Sequence, residues 1–373
     1  MFKKIGIINS GGDVQGLNAV IASAVIYGSK MNYKFVGFIK GWEGLLDLDY
    51  IELDTQSVRG ISHTGGTILH SVNKGRFAGK AGLNGSQSSI PSEILDLAIE
   101  NIKKLDLHAL IVIGGDGTLS GAIQLAERGI NIVGVPKTID NDLSSTDQTF
   151  GFSTAVNIAV EALDRIHTTA TSHDRVMIVE TMGRHAGWIA LHAGLAGGAD
   201  AILLPEFDFQ YSELVKFLRW RKTVGRNYSV IVVSEGAKAI GEELAAKNLG
   251  APEVKLGGIS EQVMNRLNEL APGEFEIRNV VLGHIQRGGT PNAEDRIYAK
   301  SYGAAAVNAI HNNRFGNMIA LQAGKLIEIP IKEAISKFNL VTPQALAYIT
   351  AKRLGVFMGE CRDGVCGTGV ESK

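Results

Sequence analysis

The sequence Pro-Lys-Thr-Ile-Asp-Asn-Asp at residues 136–142 places two carboxylates and an amide directly after the apolar run 132–135. The run predicts a short buried strand, and the step into Pro136 is expected to end it. Ligands bind at the carboxyl ends of strands in open α/β sheets, so these side chains are well placed. One carboxylate can hold a divalent cation while the other accepts a proton from a hydroxyl group. The alternative is a turn in which Asp and Asn cap the next helix.

Short apolar runs alternate with amphipathic stretches along nearly the whole sequence. Strands are predicted at residues 4–8, 35–39, 109–113, 131–135, 175–180, 200–204, 229–234 and 277–282. Helices are predicted at residues 15–28, 92–104, 153–167, 211–222, 259–269 and 292–311. This alternation predicts an α/β protein whose mainly parallel sheets are covered by helices on both faces. Near residues 150–175 a long helical run leads into a new series of strands, and we place a lobe boundary there.

Bulk composition limits the classes of function. The chain has 373 residues, of which 45% are apolar, enough for two lobes with sizeable cores. The formal net charge of −1 gives no global field that would attract nucleic acid or an acidic membrane surface. The sequence has no signal-peptide pattern and no run of about 18 apolar residues, which predicts a soluble cytoplasmic protein.

The end of the sequence differs in character. Cys361 and Cys366 are its two cysteines, and they form neither a metal-finger spacing nor a disulfide framework. Residues 359–373 are rich in glycine and lack periodicity, so we expect a loosely ordered tail.

Two glycine-rich elbows, at residues 9–16 and 114–118, each follow an apolar strand and open a helix. Backbone N–H groups exposed by such turns suit phosphate oxygens. Neither elbow has the spacing of a dinucleotide-binding motif or a P-loop, which disfavours both of those site classes. In the second elbow Asp116 could carry Mg²⁺ to a phosphate chain, and Gly117 leaves space for a bulky group. A tight turn without ligand and a simple helix cap are the alternatives.

Several basic and polar residues lie beside other glycine turns. Lys74 and Arg76 end a third glycine-containing loop and could grip phosphates, or they could be ordinary solvated charges. Five more candidates follow the later strands or begin them: Arg175, Arg184, Glu235, Arg278 and the run 283–289 with His284 and Arg287. An arginine at a strand's carboxyl end can stabilise a transferring phosphoryl group, and a glutamate there can bind sugar hydroxyls. Surface salt bridges are the alternative for each of them.

These motifs occur in the order found in 6-phosphofructokinases, and the chain resembles the mixed-substrate group of that family from about residue 3 to residue 355. The resemblance implies a two-lobed phosphofructokinase-like fold with the active site in the cleft between the lobes. It implies a nucleotide and phosphate-donor lobe of residues 1–151 plus about 288–340. Residues 152–287 plus about 341–358 would form a sugar-phosphate lobe, followed by a flexible tail at 359–373.

The reaction implied by the resemblance is transfer of a phosphoryl group from ATP, with Mg²⁺, to the 1-hydroxyl of fructose 6-phosphate in glycolysis. Asp140 would be the base, with Thr138 beside it at the sugar. Asp116 would be the magnesium carboxylate, and Asp142 a second candidate. The residues implied to bind the donor are Gly11, Gly115, Asp116, Gly117, Thr118, Lys74 and Arg76. Gly117 and Lys137 are counted with Thr138, Asp140 and Arg184 among the catalytic residues.

The resemblance also assigns the sugar phosphate. Arg184 would face the transferring phosphate, while His284 and Arg287 would grip the 6-phosphate. The remaining implied sugar contacts are Ile139, Met182, Gly183, Glu235, Ile285 and Gln286. Arg175 and Arg278 match arginines that reach into a neighbouring subunit's site, which implies a homodimer or homotetramer. No nucleic-acid or membrane partner is implied.

The sequence departs from the family's patterns in ways that keep alternatives open. Gly117 is typical of ATP-using members, whereas Lys137 is typical of pyrophosphate-using ones, so ATP is favoured and pyrophosphate remains the alternative donor. Asn73 replaces an arginine that is usual in the short bacterial enzymes. Ala22 and Ile26 replace effector-binding arginines, which argues against regulation by ADP or phosphoenolpyruvate. Another sugar phosphate, such as sedoheptulose 7-phosphate, and an inactive binding protein on the same fold are further alternatives.

Overall fold

A computed structural model describes residues 2–73, 75–77, 89–247, 255–256 and 258–359. Lys74, the two cysteines and nearly all of the predicted tail lie outside these residues. The strands are β1 Lys3–Asn9, β2 Tyr33–Phe38, β3 Tyr50–Leu53, β4 Leu107–Gly114, β5 Ile132–Thr138, β6 Phe150–Gly151, β7 Arg175–Thr181, β8 Ala201–Leu203, β9 Ser229–Ser234, β10 Ala246–Lys247, β11 Lys255–Leu256, β12 Glu276–Val281, β13 Asn317–Gln322 and β14 Lys325–Pro330. The helices are α1 Leu17–Lys30, α2 Trp42–Asp47, α3 Ser92–Lys104, α4 Asp116–Ala126, α5 Phe152–Ser172, α6 Trp188–Ala196, α7 Tyr211–Thr223, α8 Ile259–Leu270, α9 Ala293–His311, α10 Ile331–Ala334 and α11 Leu346–Arg353.

The chain forms two compact units, each made of two stretches of sequence. Unit 1 comprises Met1–Thr154 and Arg287–Asn339, and unit 2 comprises Ala155–Gln286 and Leu340–Lys373. The predicted α/β class with mainly parallel sheets is confirmed. Among the described residues no helix has the length and apolar character needed to cross a membrane.

Unit 1 is built on a sheet with the strand order β14-β13-β5-β4-β1-β2-β3, and β6 pairs with β5 outside this path. The inner strands are parallel, and β3 and β14 are antiparallel edges. Val112, Leu119 and Met318 belong to a buried cluster beneath α2, α3 and α4, while α1 and α9 pack on each other. Near-continuous apolar strands such as β4 are typical of parallel sheets that are covered on both faces.

Unit 2 is built on a parallel sheet of four strands in the order β12-β7-β9-β8. Its core includes Ile178, Phe209, Ile231 and Val263, which bury the inner faces of α7 and α8 against the sheet. Because all four strands run in one direction, their carboxyl ends meet at one edge, and loops from three of them lie together there.

The prediction that Pro136 ends its strand is wrong. β5 continues to Thr138, and Pro136 pairs with Gly114, the last residue of β4. The next two residues of β5 pair instead with β6. Proline has no N–H group to donate to a neighbouring strand. Here it lies where β5 stops pairing with β4 and begins pairing with β6, so the missing donor removes little of the hydrogen bonding between strands.

Candidate functional site

The first elbow in unit 1 is held by a buried lysine. Gly11 has φ 83°, a left-handed conformation that favours glycine. The Lys137 side chain is only 4% exposed, and its Nζ donates a hydrogen bond of 2.5 Å to the carbonyl oxygen of Gly12. The pKa of Lys137 is lowered to about 8, mainly by burial and then by the neighbouring charge of Arg287, while the carboxylates around it oppose the shift. The elbow therefore has a cation directly beneath its backbone.

Arg287 adds a second positive charge to this elbow. Its Nη1 donates to the carbonyl oxygen of Asp13 at 3.2 Å, and a Cβ atom placed on Gly12 would lie 2.7 Å from the same nitrogen. The absence of a side chain at Gly12 thus permits the guanidinium group to lie against the turn. The sequence predicts Arg287 at the sugar phosphate, whereas in the structure it contacts the first elbow of unit 1.

The second elbow opens α4. Gly115 occupies the N-cap position and Asp116 is the first helical residue, so Asp116 is not the helix cap considered as an alternative. A carboxylate in the first turn is favoured by the helix dipole. A Cβ atom on Gly117 would meet no other atom within 4 Å, so the space beside this glycine is open. Thr118 is buried, with its hydroxyl close to Gly11.

The loop after β5 carries the central candidates. The backbone N–H of Asp140 donates to Thr138 Oγ1 at 3.1 Å. Asn141 has φ 52°, and its Oδ1 accepts a hydrogen bond of 2.9 Å from the Thr149 N–H. The Asn side chain therefore closes its own loop, and the alternative of a cap for the next helix is not what the structure contains. Ile139 is fully buried, so only its backbone could touch a ligand.

Asp142 shares its surroundings with two other carboxylates. Its pKa is raised to about 7, mainly by desolvation and then by the negative charges of Asp140 and Asp116, while a hydrogen bond from Thr138 opposes the shift. No group of three or more His, Cys, Asp or Glu side chains that could hold a metal occurs among the described residues. Mg²⁺ commonly uses one or two carboxylates and completes its shell with phosphates and water. The excess negative charge around Asp142 fits such a cation.

Arg76 is engaged elsewhere. Its Nε lies 2.8 Å from Glu43 Oε2, and its Nη2 lies 2.6 Å from Asp47 Oδ2. Two carboxylates of α2 therefore balance the guanidinium charge, so Arg76 is a surface ion-pair residue rather than an ordinary solvated charge.

At the carboxyl edge of the unit 2 sheet, three strands bring their loops together. The N–H of Glu235 donates to Thr181 O at 2.9 Å, which joins the ends of β9 and β7. The N–H of Leu282 donates to Glu180 O at 3.0 Å, which joins β12 to β7. Met182, Gly183 and Arg184 follow β7, so the structure brings these three together with Glu235 and the segment that contains His284.

The loop after β7 is tightly fixed. Gly183 has φ 131°, and a Cβ atom there would lie 2.5 Å from the Ser234 hydroxyl. That hydroxyl donates 2.7 Å to Gly183 O. Within the predicted run 283–289, Gln286 is fully buried, whereas His284 and Ile285 are exposed and can reach a ligand. Arg184, in the loop after β7, is exposed as well.

Two residues that the sequence reasoning missed support these loops. The Glu180 carboxylate accepts hydrogen bonds from Gly258 N and Ser260 N and so caps α8. The Glu206 carboxylate accepts from Gly187 N at 3.0 Å and from Val341 N at 2.8 Å. The residues that donate to these two carboxylates lie far from them in the sequence. The only indication in the sequence was that each Glu lies beside the end of a strand.

Arg175 and Arg278 lie away from this edge. Arg175 is the first residue of β7 and Arg278 pairs with Met177 in β12. Both bind the Glu276 carboxylate, at 2.8 and 3.0 Å. At about 3.3 Å per residue, Arg175 is roughly 20 Å from the other end of β7. The structure therefore does not bring these arginines together with Arg184 and His284.

Comparisons with known proteins agree with this architecture. The sequence pattern of the family described as Phosphofructokinase matches residues 4–310. The chain is 45% identical to an ATP-dependent 6-phosphofructokinase 2 of Clostridium perfringens, over 95% of this chain and 98% of that one. It is 43% identical to a pyrophosphate–fructose 6-phosphate 1-phosphotransferase of Streptomyces coelicolor, over 95% of this chain and 100% of that one. The phosphofructokinase of Pichia pastoris in its T-state superposes with a TM-score of 0.77 at 31% identity, covering 90% of this chain and 36% of that longer one.

Proposed function

The chain belongs to the phosphofructokinase family, and from that premise we propose that it transfers the γ-phosphoryl group of ATP to the 1-hydroxyl of fructose 6-phosphate. The products are fructose 1,6-bisphosphate and ADP. The observation that supports this chemistry best is the electrostatic grouping of Asp116, Asp140 and Asp142 in unit 1. Phosphoryl transfer requires positioned charges and a proton acceptor more than covalent catalysis.

Asp140 is the proposed base. Its carboxylate takes the proton of the 1-hydroxyl as that oxygen forms its bond to the γ-phosphorus and the bond between the β–γ bridging oxygen and phosphorus breaks. Thr138 supports this role because its hydroxyl accepts the Asp140 N–H and fixes the start of the loop. The proton then passes to solvent from Asp140.

The donor is proposed to lie on the two elbows. The backbone N–H groups of residues 12 and 13 and those at the start of α4 are proposed to donate to phosphate oxygens, with Lys137 and Arg287 as cations. Asp116 and Asp142 would hold Mg²⁺, which neutralises charge on the donor phosphates when it is bound. Arg76 is left out of the proposed contacts because Glu43 and Asp47 already balance it.

In unit 2, Arg184 is proposed to stabilise the transferring phosphoryl group, and Met182, Gly183 and Glu235 to bind the sugar. His284 with its neighbour Ile285 is proposed to bind the 6-phosphate end. We further propose that the protein acts in the cytoplasm as a homodimer or homotetramer, in which Arg175 and Arg278 serve a neighbouring subunit. Their placement away from Arg184 is the support for that assignment.

ATP is favoured over pyrophosphate by the open space at Gly117. Pyrophosphate is the second candidate, supported by the buried ammonium group of Lys137. The relatives also support ATP, since an ATP-dependent enzyme is 45% identical to this chain and a pyrophosphate-dependent enzyme is 43% identical.

The deciding experiment measures formation of fructose 1,6-bisphosphate from fructose 6-phosphate and Mg²⁺ with ATP or pyrophosphate. Turnover with ATP and little with pyrophosphate is expected. Turnover with pyrophosphate alone would overturn the donor assignment and keep the base. If neither donor supports turnover, sedoheptulose 7-phosphate is the next acceptor to test, and inactivity with it would favour a binding protein without catalysis.

A further inference from the structure

The segment of residues 334–341, called the strap here, lies beside the loop that carries the proposed base. Ser144 Oγ donates to Ala334 O at 3.0 Å, and Leu143 forms an antiparallel bridge with Phe338. Asn339 contacts the backbone of the two residues that follow Asp140. Its backbone N–H donates to Asp142 O at 2.9 Å, and its side-chain Nδ2 donates to Asn141 O at 2.9 Å.

These contacts supply hydrogen-bond donors to the loop of residues 139–149. Residues 139–149 are neither helix nor strand, apart from the single bridge at Leu143, so regular structure does not satisfy their carbonyl groups. Buried carbonyl groups require donors, and Asn339 provides two in succession. Asn141 is also bound from the other side, through its Oδ1 and the Thr149 N–H. The residue between Asp140 and Asp142 is thus fixed on both sides.

At its other end the strap contacts Glu206 in unit 2. The chain passes from unit 1 to unit 2 between Asn339 and Leu340. Two residues after Asn339, the Val341 N–H donates 2.8 Å to Glu206 Oε1. The same oxygen accepts the Gly187 N–H at 3.0 Å, three residues after Arg184. One short piece of chain therefore touches the loop of Asp140 at one end and the residue that holds the loop of Arg184 at the other.

We propose that Asn339 and Glu206 are positioning residues, which hold the loops of Asp140 and Arg184 in their reactive conformations through the strap. Neither side chain takes part in the chemistry. The inference rests on the proposed function for the roles of Asp140 and Arg184, but the contacts that define the strap do not depend on it.

The first test is the Asn339→Ala variant, which removes one donor and leaves the backbone bond to Asp142. We expect kcat to fall about tenfold with KM for both substrates changed less than about twofold, because a displacement near 1 Å can cost about 100-fold in rate. Lys337→Ala is the matched control, since Lys337 is exposed and lies on the same strap. Equal kcat in Asn339→Ala and wild type, or an equal loss in Lys337→Ala, would overturn the proposal.

The second test compares two substitutions at Glu206. Glu206→Gln keeps an oxygen that can accept the Gly187 and Val341 N–H groups and should retain at least about half of kcat. Glu206→Ala removes the acceptor and should lose about tenfold in kcat at temperatures where the variant remains folded. Equal activity of the two variants would overturn the positioning role of Glu206.

A third measurement separates failure of this inference from failure of the proposed function. Amide hydrogen exchange of the unliganded protein should be faster at residues 141–149 in Asn339→Ala and unchanged in β4. If wild-type protein forms no fructose 1,6-bisphosphate with any donor, the proposed function is wrong, and the exchange rates still decide whether the strap holds the loop. Unchanged exchange at 141–149 would show that it does not.

Discussion

Lys137 Nζ donates a hydrogen bond of 2.5 Å to the carbonyl oxygen of Gly12, although these residues are 125 positions apart in the sequence. The contact ties the end of β5 to the first glycine elbow of unit 1. It places a buried ammonium group under the backbone that is proposed to bind the donor. We therefore expect the affinity for the donor to depend on whether Lys137 is charged.

The first prediction concerns pH. The pKa of Lys137 is lowered to about 8, mainly by burial, so the free enzyme loses this positive charge as the pH rises through that value. We expect kcat/KM for the donor to fall above about pH 8, since this parameter reports groups of the free enzyme. Lys137→Met should remove that limb of the profile and raise the donor KM about tenfold. A wild-type profile that stays flat to about pH 9.5 would contradict the assignment.

The second prediction concerns the base. Asp140→Asn keeps the shape of the side chain and removes its ability to take a proton. Turnover should fall by about 10²- to 10⁴-fold, with both KM values nearly unchanged. Circular dichroism and the melting temperature serve as controls for the fold. Turnover within about twofold of wild type would remove Asp140 from the mechanism.

The third prediction concerns the donor. Gly117→Ala and Gly117→Asp should both fold, because a Cβ atom at this position meets no other atom within 4 Å. Ala adds no charge and should retain ATP turnover, whereas Asp adds a negative charge beside the phosphates and should lower it at least about tenfold. The ratio of ATP to pyrophosphate turnover in the two variants is the measurement. An equal ratio in both would show that Gly117 does not select the donor.

The fourth prediction links pH to stability. The pKa of Asp142 is raised to about 7 in the folded state, so its contribution is fully present below its unfolded pKa near 4 and is lost as the pH rises through 7. Asp142→Asn removes the charge permanently. Without Mg²⁺, the variant should gain stability relative to wild type between about pH 5 and pH 8, by on the order of 1 to 3 kcal/mol.

Urea unfolding at several pH values measures this difference. Mg²⁺ should reduce the difference in stability between the variant and wild type. A bound cation neutralises the Asp142 charge in wild type, whereas the variant has no charge at that position. A difference that does not change with pH would show that Asp142 ionises normally in the folded protein.

Much of this molecule could be predicted from local sequence. Apolar runs followed by glycine pairs correctly predicted strands that end in tight turns. Both signals lie within a few consecutive residues, so no knowledge of the tertiary structure is needed to recognise them. The hairpin of β13 and β14 was missed although it carries a signal. Ala323 and Gly324 form a two-residue turn with φ 48° and 75°, between alternating apolar residues.

Long-range contacts account for what could not be predicted. The salt bridges of Arg76 depend on where α2 lies, and the contact of Arg287 with the first elbow joins residues 274 positions apart. Asn339 lies 198 positions from Asn141, and a single Asn in an irregular segment has no periodicity or motif to reveal it. Such side chains acquire their roles only through the tertiary structure.

The division of each unit between two stretches of sequence has a consequence for synthesis on the ribosome. β5 leads into the loop of Asp140, but its parallel neighbour β13 begins only at Asn317, after the whole first stretch of unit 2. At about 5 to 20 residues per second, the edge of β5 that β13 will cover stays open for roughly 10 to 40 s. Open strand edges recruit other strands. The nascent chain is therefore most exposed to mispairing while unit 2 is being made, which is when a chaperone would protect it most.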